Sequence, residues 1–274
     1  MNMSVLGASG YGKSWVTQAL SERNTDRYDH VVSLDYKDEY RGLCSKEHGP
    51  APFKHYLAGE RERVRFGPKA WAELLRQNGH VVIGRLSKHL DNEDWREVCA
   101  TIATAARHYI DGSVLLVIDE AHFVAPQAGN YPEPIEGLAT TGRGEGLSVI
   151  WVSQRPAKLD TTPLGNSTAR FLGGFTEKND INTFSDVVSY PEQVHRAGGT
   201  PISGLPEELH APDEGAITVR KWEKTTPEGE KQVTDSEWIY SDDSGKLARI
   251  RSADHFGPDC EHVGASGMEI DVGV

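Results

Sequence analysis

The stretch Gly7-Ala8-Ser9-Gly10-Tyr11-Gly12-Lys13-Ser14 constrains this chain more than any other. It fits G-x-x-x-x-G-K-[ST], a loop built to wrap phosphate groups. Its glycines open backbone conformations that a Cβ forbids, so successive N–H groups can turn toward one anion. Lys13 offers a point charge to β- and γ-phosphates, and Ser14 offers a hydroxyl to Mg²⁺. The flanks agree with the loop. Residues 3–6 read as a short strand, and Trp15, Val16, Ala19 and Leu20 recur at helical spacing after it. A glycine-rich turn that matched by chance would lack both. Gly7 to Ser14, with Trp15 directly behind, form the expected nucleotide-binding set, with ATP and Mg²⁺ as the expected ligands.

Further along, strands are predicted at 30–35, 63–66, 80–84, 113–119, 147–153 and 170–174, the last closing the sheet. Between them, Pro68 opens a helix through residue 77, and Asp91 caps a long helix over 92–110. A helix is expected over 133–141, and helical segments near 177–188 and 191–197. Residues 36–60 read as an irregular connection. Strands alternating with helices predict an α/β fold with a mainly parallel sheet covered on both faces, and with the loop at 7–14 ahead of them the arrangement resembles a P-loop NTPase of RecA-like type. Near residue 204 the pattern changes. Residues 216–222 and 232–240 alternate around Pro227-Glu228-Gly229, which predicts an antiparallel hairpin. The expected division is a motor domain over 1–204, a β-hairpin extension packed on it over 205–252, and a flexible tail over 253–274.

A second signal lies in Val114-Leu115-Leu116-Val117-Ile118-Asp119-Glu120. An apolar strand delivers two carboxylates at the end where open α/β sheets bind ligands. Asp119 is expected to hold Mg²⁺, and Glu120 to polarise the attacking water. His122 completes the letters D-E-A-H, but a lone histidine is more often a surface or core residue. Gln154, at the end of the 147–153 strand, is the expected γ-phosphate sensor. Arg143, between Gly142 and Gly144, is a candidate arginine finger reaching a neighbouring subunit, and Arg155 is the other candidate.

The bulk properties exclude several classes. Of 274 residues, 37% are hydrophobic, enough for a sizeable core. No apolar run approaches the ~20 residues needed to cross a bilayer, so no integral membrane segment is expected. Strand and loop begin too near Met1 for a signal peptide, which points to a cell interior. Three cysteines and eleven histidines show neither disulfide nor metal-ligand spacing. With 29 basic and 41 acidic residues, the net charge of −12 argues against a broad nucleic-acid face. It leaves room for a few basic loops, of which Arg85, Lys88 and His89 are the best DNA-contact candidates. Arg61, Arg63, Arg65 and Lys69 alternate in a way that fits an exposed strand.

The loop at 7–14, together with Leu34-Asp35-Tyr36-Lys37-Asp38-Glu39-Tyr40, Ile118-Asp119-Glu120-Ala121-His122, Gly142-Arg143-Gly144-Glu145-Gly146 and Val152-Ser153-Gln154-Arg155-Pro156, resembles the HerA/FtsK superfamily of DNA-pumping ATPases over about residues 1–200. That resemblance implies a homo-oligomeric ring, usually a hexamer, threading double-stranded DNA through its pore. Cellular members carry a barrel or membrane segment ahead of the motor, whereas six residues precede Gly7 here. The likeness is therefore to genome-packaging ATPases of tailless icosahedral viruses. It implies a host-cytoplasmic protein, with a capsid vertex as a partner. A D-E-A-H helicase would need a second motor domain. The alternatives outside DNA pumping are an assembly or secretion ATPase of the filamentous-phage type acting on protein, and a nucleotide-dependent switch.

Overall fold

The computed structural model describes residues 1–140, 146–225 and 231–263. Strand β1 (Asn2–Leu6) runs through the glycine-rich loop into α1 (Lys13–Arg23). Then come β2 (His30–Asp35), β3 (Lys54–Ala58), α2 (Glu60–Arg65), α3 (Pro68–Asn78) and β4 (Val81–Arg85). They are followed by α4 (Asn92–His108), β5 (Val114–Ile118), α5 (Glu133–Thr140) and β6 (Leu147–Ser153). Short α6 (Thr161–Gly165), β7 (Ala169–Leu172) and α7 (Lys178–Asn182) precede β8 (Lys221–Thr225), β9 (Lys231–Asp242), β10 (Leu247–Arg251) and α8 (Ser252–His255).

The strands form one sheet in the order β10-β9-β7-β1-β6-β5-β2-β4-β3, with β8 on β9. From β7 to β3 every pairing is parallel. β9 pairs antiparallel with β7, β10 and β8. Both faces of the parallel part are covered, which is why its strands read as apolar runs rather than alternations. Val32 and Leu34 of β2 join one core with Trp71 of α3, Trp95 of α4 and Leu138 of α5. Val31 of the same strand joins the other, with Val16 and Ala19 of α1 and Trp238 of β9.

The two key helices start differently. The Asp91 carboxylate caps α4 by accepting from the backbone N–H groups of Glu93 (2.8 Å) and Asp94 (2.9 Å). Helix α1 begins at Gly12, in the left-handed region at φ 83°, and no side chain caps it. Its first N–H groups are left for an anion, which its dipole also favours.

Several expectations are corrected. The segment 63–66 is not a strand: α2 occupies it, because the Glu62 carboxylate accepts from the Gly59 N–H at 2.9 Å and Arg63 pairs with Glu60 one turn back. Part of the supposed irregular connection is β3, an edge strand whose mostly exposed residues give no apolar signal. β7 does not close the sheet, since β9 bonds beyond it. The helix near 177–188 shrinks to α7, and 191–197 holds only a 3₁₀ turn, Glu192–His195. Residues 205–252 supply β8–β10, with β9 bonded directly to β7 of the main sheet. Part of the expected tail is packed. Glu22 accepts from the N–H groups of Asp259 (2.7 Å) and Cys260 (3.0 Å), and Gln18 donates to the Cys260 carbonyl at 2.7 Å. Residues 264–274 lie outside the described part.

Candidate functional site

The phosphate loop opens on a cavity of about 580 Å³, lined at this end by Ser9, Gly10, Gly12, Lys13, Ser14 and Trp15. Gly10 and Gly12 adopt φ of 65° and 83°, where a side chain would be strained. The other three residues of the expected set have structural roles. The Gly7 N–H donates to the Ser153 carbonyl (3.3 Å) and that of Ala8 to the Gly174 carbonyl (3.0 Å), which ties the loop to β6 and to the turn after β7. The Tyr11 side chain turns away from the cavity. It is buried edge-on against Trp238, with ring centroids 5.7 Å apart, and its hydroxyl donates to the Arg220 carbonyl at 2.9 Å. Lys13 donates to the Ala8 carbonyl at 3.2 Å, a bond it can exchange for phosphate. Burial lowers its ammonium below the ordinary lysine value, while Glu120 and Asp119 pull it back up.

Asp119 and Glu120 follow β5 into the same cavity, almost wholly buried. Glu120 sits at φ 45°, an uncommon position for a residue with a Cβ, and lines the cavity together with the loop. Asp119 Oδ2 and Glu120 Oε2 have no hydrogen-bond partner among the described residues. Burial pushes Asp119 well above the usual carboxylate range, and the charges of Glu120, Asp35 and Glu39 push the same way. Burial likewise raises Asp35 to about 7, against the pull of the Tyr40 and Glu39 N–H groups.

Residues whose roles the sequence left open complete the cluster. Lys37 forms a close ion pair with Glu120. Glu39 accepts from the Ser14 hydroxyl at 2.6 Å and lies 4.0 Å from Lys37. Three acids (Glu39, Asp119, Glu120) thus line the cavity together with two ammonium groups (Lys13, Lys37), and their oxygens suit a divalent cation. Ser14 Oγ and the unpartnered Asp119 Oδ2 are hard oxygen donors of the kind Mg²⁺ takes, usually one or two from protein with the rest from phosphate and water. No group of three or more His, Cys, Asp or Glu among the described residues is arranged to hold a metal by itself.

β6 pairs with both β1 and β5, so Gln154 at its end stands between the phosphate loop and the acidic pair, lining the cavity. His122 belongs to this region too. Its Nδ1 lies 3.0 Å from Ser153 Oγ and 3.5 Å from Glu120 Oε2, and burial lowers it to about 4, so the ring is neutral near pH 7. Arg155 points to a neighbouring cavity of about 400 Å³ and pairs through Nε with Asp180 at 3.3 Å. Arg143 lies outside the described residues. Arg85, Lys88 and His89 share another cavity, none of whose lining residues belongs to the phosphate loop.

A further wall of the cavity comes from the far end of the chain: Val233, Thr234 and Asp235 of β9, Ser252, Ala253 and His262. β9 also backs the loop itself. A Cβ on Gly7 would come within 3.1 Å of the Trp238 ring, and one on Gly12 within 3.3 Å of Ser236 Oγ. Nothing local in residues 231–263 advertises this. For Lys37 and Glu39 a signal existed, since they follow a buried strand at the ligand-binding end of a parallel sheet.

A phosphate loop after β1 and an Asp-Glu pair after β5 of a parallel sheet define the P-loop NTPase fold. No protein-family description and no curated protein matches the sequence. Solved structures do match in fold. The genome packaging NTPase B204 from Sulfolobus turreted icosahedral virus 2, in complex with ATP-gammaS, superposes with a TM-score of 0.54 at 16% identity, over 94% of this chain and 98% of that one. B204 of Sulfolobus turreted icosahedral virus, a DNA-packaging ATPase, gives 0.53 at 14% identity, over 91% and 98%. The bacterial conjugative coupling protein TrwB, in its deltaN70 form with sulphate, gives 0.53 at 11% identity, over 97% and 87%. The expected HerA/FtsK likeness is met at the level of the fold.

Proposed function

We propose that this chain is a Mg²⁺-dependent ATPase of the HerA/FtsK type that drives double-stranded DNA through a homo-oligomeric ring, a hexamer, during viral genome packaging. The observation that carries the reading is the convergence of Lys13 and Ser14 at the start of α1, Asp119 and Glu120 after β5 and Gln154 after β6 on one cavity. The packaging step is supported by the fold shared with B204, itself a packaging NTPase. No helix among the described residues is long and apolar enough to cross a membrane, in keeping with work in the host cytoplasm at a capsid vertex.

In this reading the N–H groups of Ser9, Gly10 and Gly12 and the open start of α1 hold the β- and γ-phosphates. Lys13 leaves the Ala8 carbonyl for the γ-phosphate. Mg²⁺ held by Ser14 and Asp119 would neutralise charge across both phosphates. Glu120 accepts the proton of the attacking water as its oxygen bonds the γ-phosphorus and the bond to ADP breaks. The Gln154 amide orients that water. Arg143 or Arg155, supplied across a subunit boundary, stabilises the charge that develops on the transferred group. The test is ATP hydrolysis with and without linear duplex DNA. Turnover rises with DNA if the chain pumps it. Equal turnover in both arms fits a switch or a protein-directed ATPase instead, and no hydrolysis in either arm rejects the ATPase.

A further inference from the structure

The ion pair between Lys37 and Glu120 joins the nucleotide cavity to a second one. Lys37 lines both. The second cavity, about 530 Å³, is bordered by Lys37, Arg41, Arg85, Lys88, His89 and Asp38. Cations dominate it, in a chain whose net charge is −12. Asp38 is spent locally, bonded to Arg41 (3.3 Å) and His55 (2.7 Å). Arg85 is a fixed charge. Its guanidinium donates to the carbonyls of Tyr36 (3.2 Å) and Leu90 (2.9 Å) and lies 3.8 Å from the centroid of the Tyr36 ring. Those contacts orient it without neutralising it. Lys88 is exposed and makes no ion pair among the described residues.

We infer that this cavity is a phosphodiester-binding site and that Lys37 is the positioning residue through which it controls Glu120. The Lys37 ammonium occupies one oxygen of the Glu120 carboxylate, whose side chain is 2% exposed. An ammonium there competes with the attacking water for the lone pairs that general-base action needs. The Lys37 side chain is 39% exposed and has a flexible four-carbon stem. A phosphate beside Arg85 and Lys88 offers it a second anionic partner, and exchanging one charge-assisted bond for another costs little. Lys37 then leaves Glu120, and hydrolysis proceeds when the polymer is engaged. Burial alone would lower Lys37, but the bond to Glu120 overrides it and holds the ammonium above its ordinary value. The inference rests on the DNA-translocating reading above.

The experiment compares wild type, Lys37→Met, Lys37→Arg and Lys88→Ala, with thermal melting as a check on folding and linear duplex DNA as the probe. Lys37→Met should raise DNA-independent hydrolysis roughly tenfold, the rate change expected from freeing one charge-assisted hydrogen bond, and lose most stimulation by DNA. Lys37→Arg, which keeps the cation, should restore a low basal rate. Lys88→Ala should reduce stimulation and lower the salt slope of DNA binding by about one. A Lys37→Met protein that folds but hydrolyses more slowly, with its stimulation factor intact, overturns the control of Glu120 by Lys37 while leaving the motor standing. A wild type indifferent to DNA rejects the motor reading and the phosphodiester site with it. An unchanged salt slope in Lys88→Ala rejects the site alone.

Discussion

At the phosphate end of the nucleotide cavity, eight consecutive residues and two strand ends bring together acids in which Asp119 Oδ2 and Glu120 Oε2 have no hydrogen-bond partner among the described residues. The wall drawn from β9 and the segment after β10 contains acids that are saturated. Asp235 accepts from Ser236 N (2.8 Å), Ser252 Oγ (3.0 Å), Ala253 N (2.9 Å) and Arg251 Nε (2.5 Å). Glu237 takes the Arg220 guanidinium at 2.8 Å and pairs closely with Arg249. Burial pushes all of these carboxyls upward. At Asp235 and Glu237 the hydrogen bonds override it and hold both below the ordinary value, whereas Asp35 and Asp119 stay raised. The same chemical group thus reports two purposes. The wall is finished without a ligand, and the phosphate end is completed by one, as unpaired buried polar groups at a functional site suggest.

The contrast can be broken from either side. Trp238 is fully buried against Tyr11 and Gly7, so it transmits the wall's rigidity to the loop. Trp238→Ala should cost about 3–5 kcal/mol of stability in chemical denaturation and weaken ATP binding as well. Lost stability with unchanged ATP affinity would show that the wall does not brace the loop. Lys13→Ala should do the reverse. It should leave folding near wild type and lose about 1.5–3 kcal/mol of ATP binding, the worth of a hydrogen bond to a charged group. Equilibrium titration with ATP checks it, and undiminished affinity would remove Lys13 from the site.

A smaller effect concerns pH. A carboxyl raised from 3.8 to about 7 in the fold, as at Asp35, favours the folded state fully below its unfolded value, and that contribution is lost as pH rises through the folded one. Asp35→Asn should therefore gain stability over wild type as pH climbs from 5 to 8, in nucleotide-free protein unfolded by urea. An advantage that stays flat or shrinks over that range would mean Asp35 is not held protonated.

How far these regions could be read from sequence follows the same division. β1, β2, β4, β5 and β6 were legible because burial on both faces writes an apolar run, and α4 because Asp91 announces its start. β3 was not, since an edge strand of mostly exposed residues carries no such run. The alternating arginines of α2 imitate a strand face, and only the bonds to Glu60 and Glu62 show the turn. Within the loop motif, Tyr11 stands at a position that any residue can fill, so its role in the core is invisible until Gly173, Gly174 and Trp238 surround it. The C-terminal wall is assembled by tertiary contact more than 200 residues from the loop, as in the bond from Gln18 to the Cys260 carbonyl, a separation of 242. No local pattern records that.

The proposed function stands most directly on Glu120, assigned there to activate water while the phosphate contacts belong to other residues. Multiple-turnover hydrolysis in saturating Mg-ATP, measured beside ATP affinity, separates the two in a Glu120→Gln protein. Turnover should fall by roughly 10²–10⁴-fold, the contribution of a positioned general base, while ATP still binds close to wild-type affinity. Near-normal turnover would contradict the assignment, and so would a matching collapse of binding.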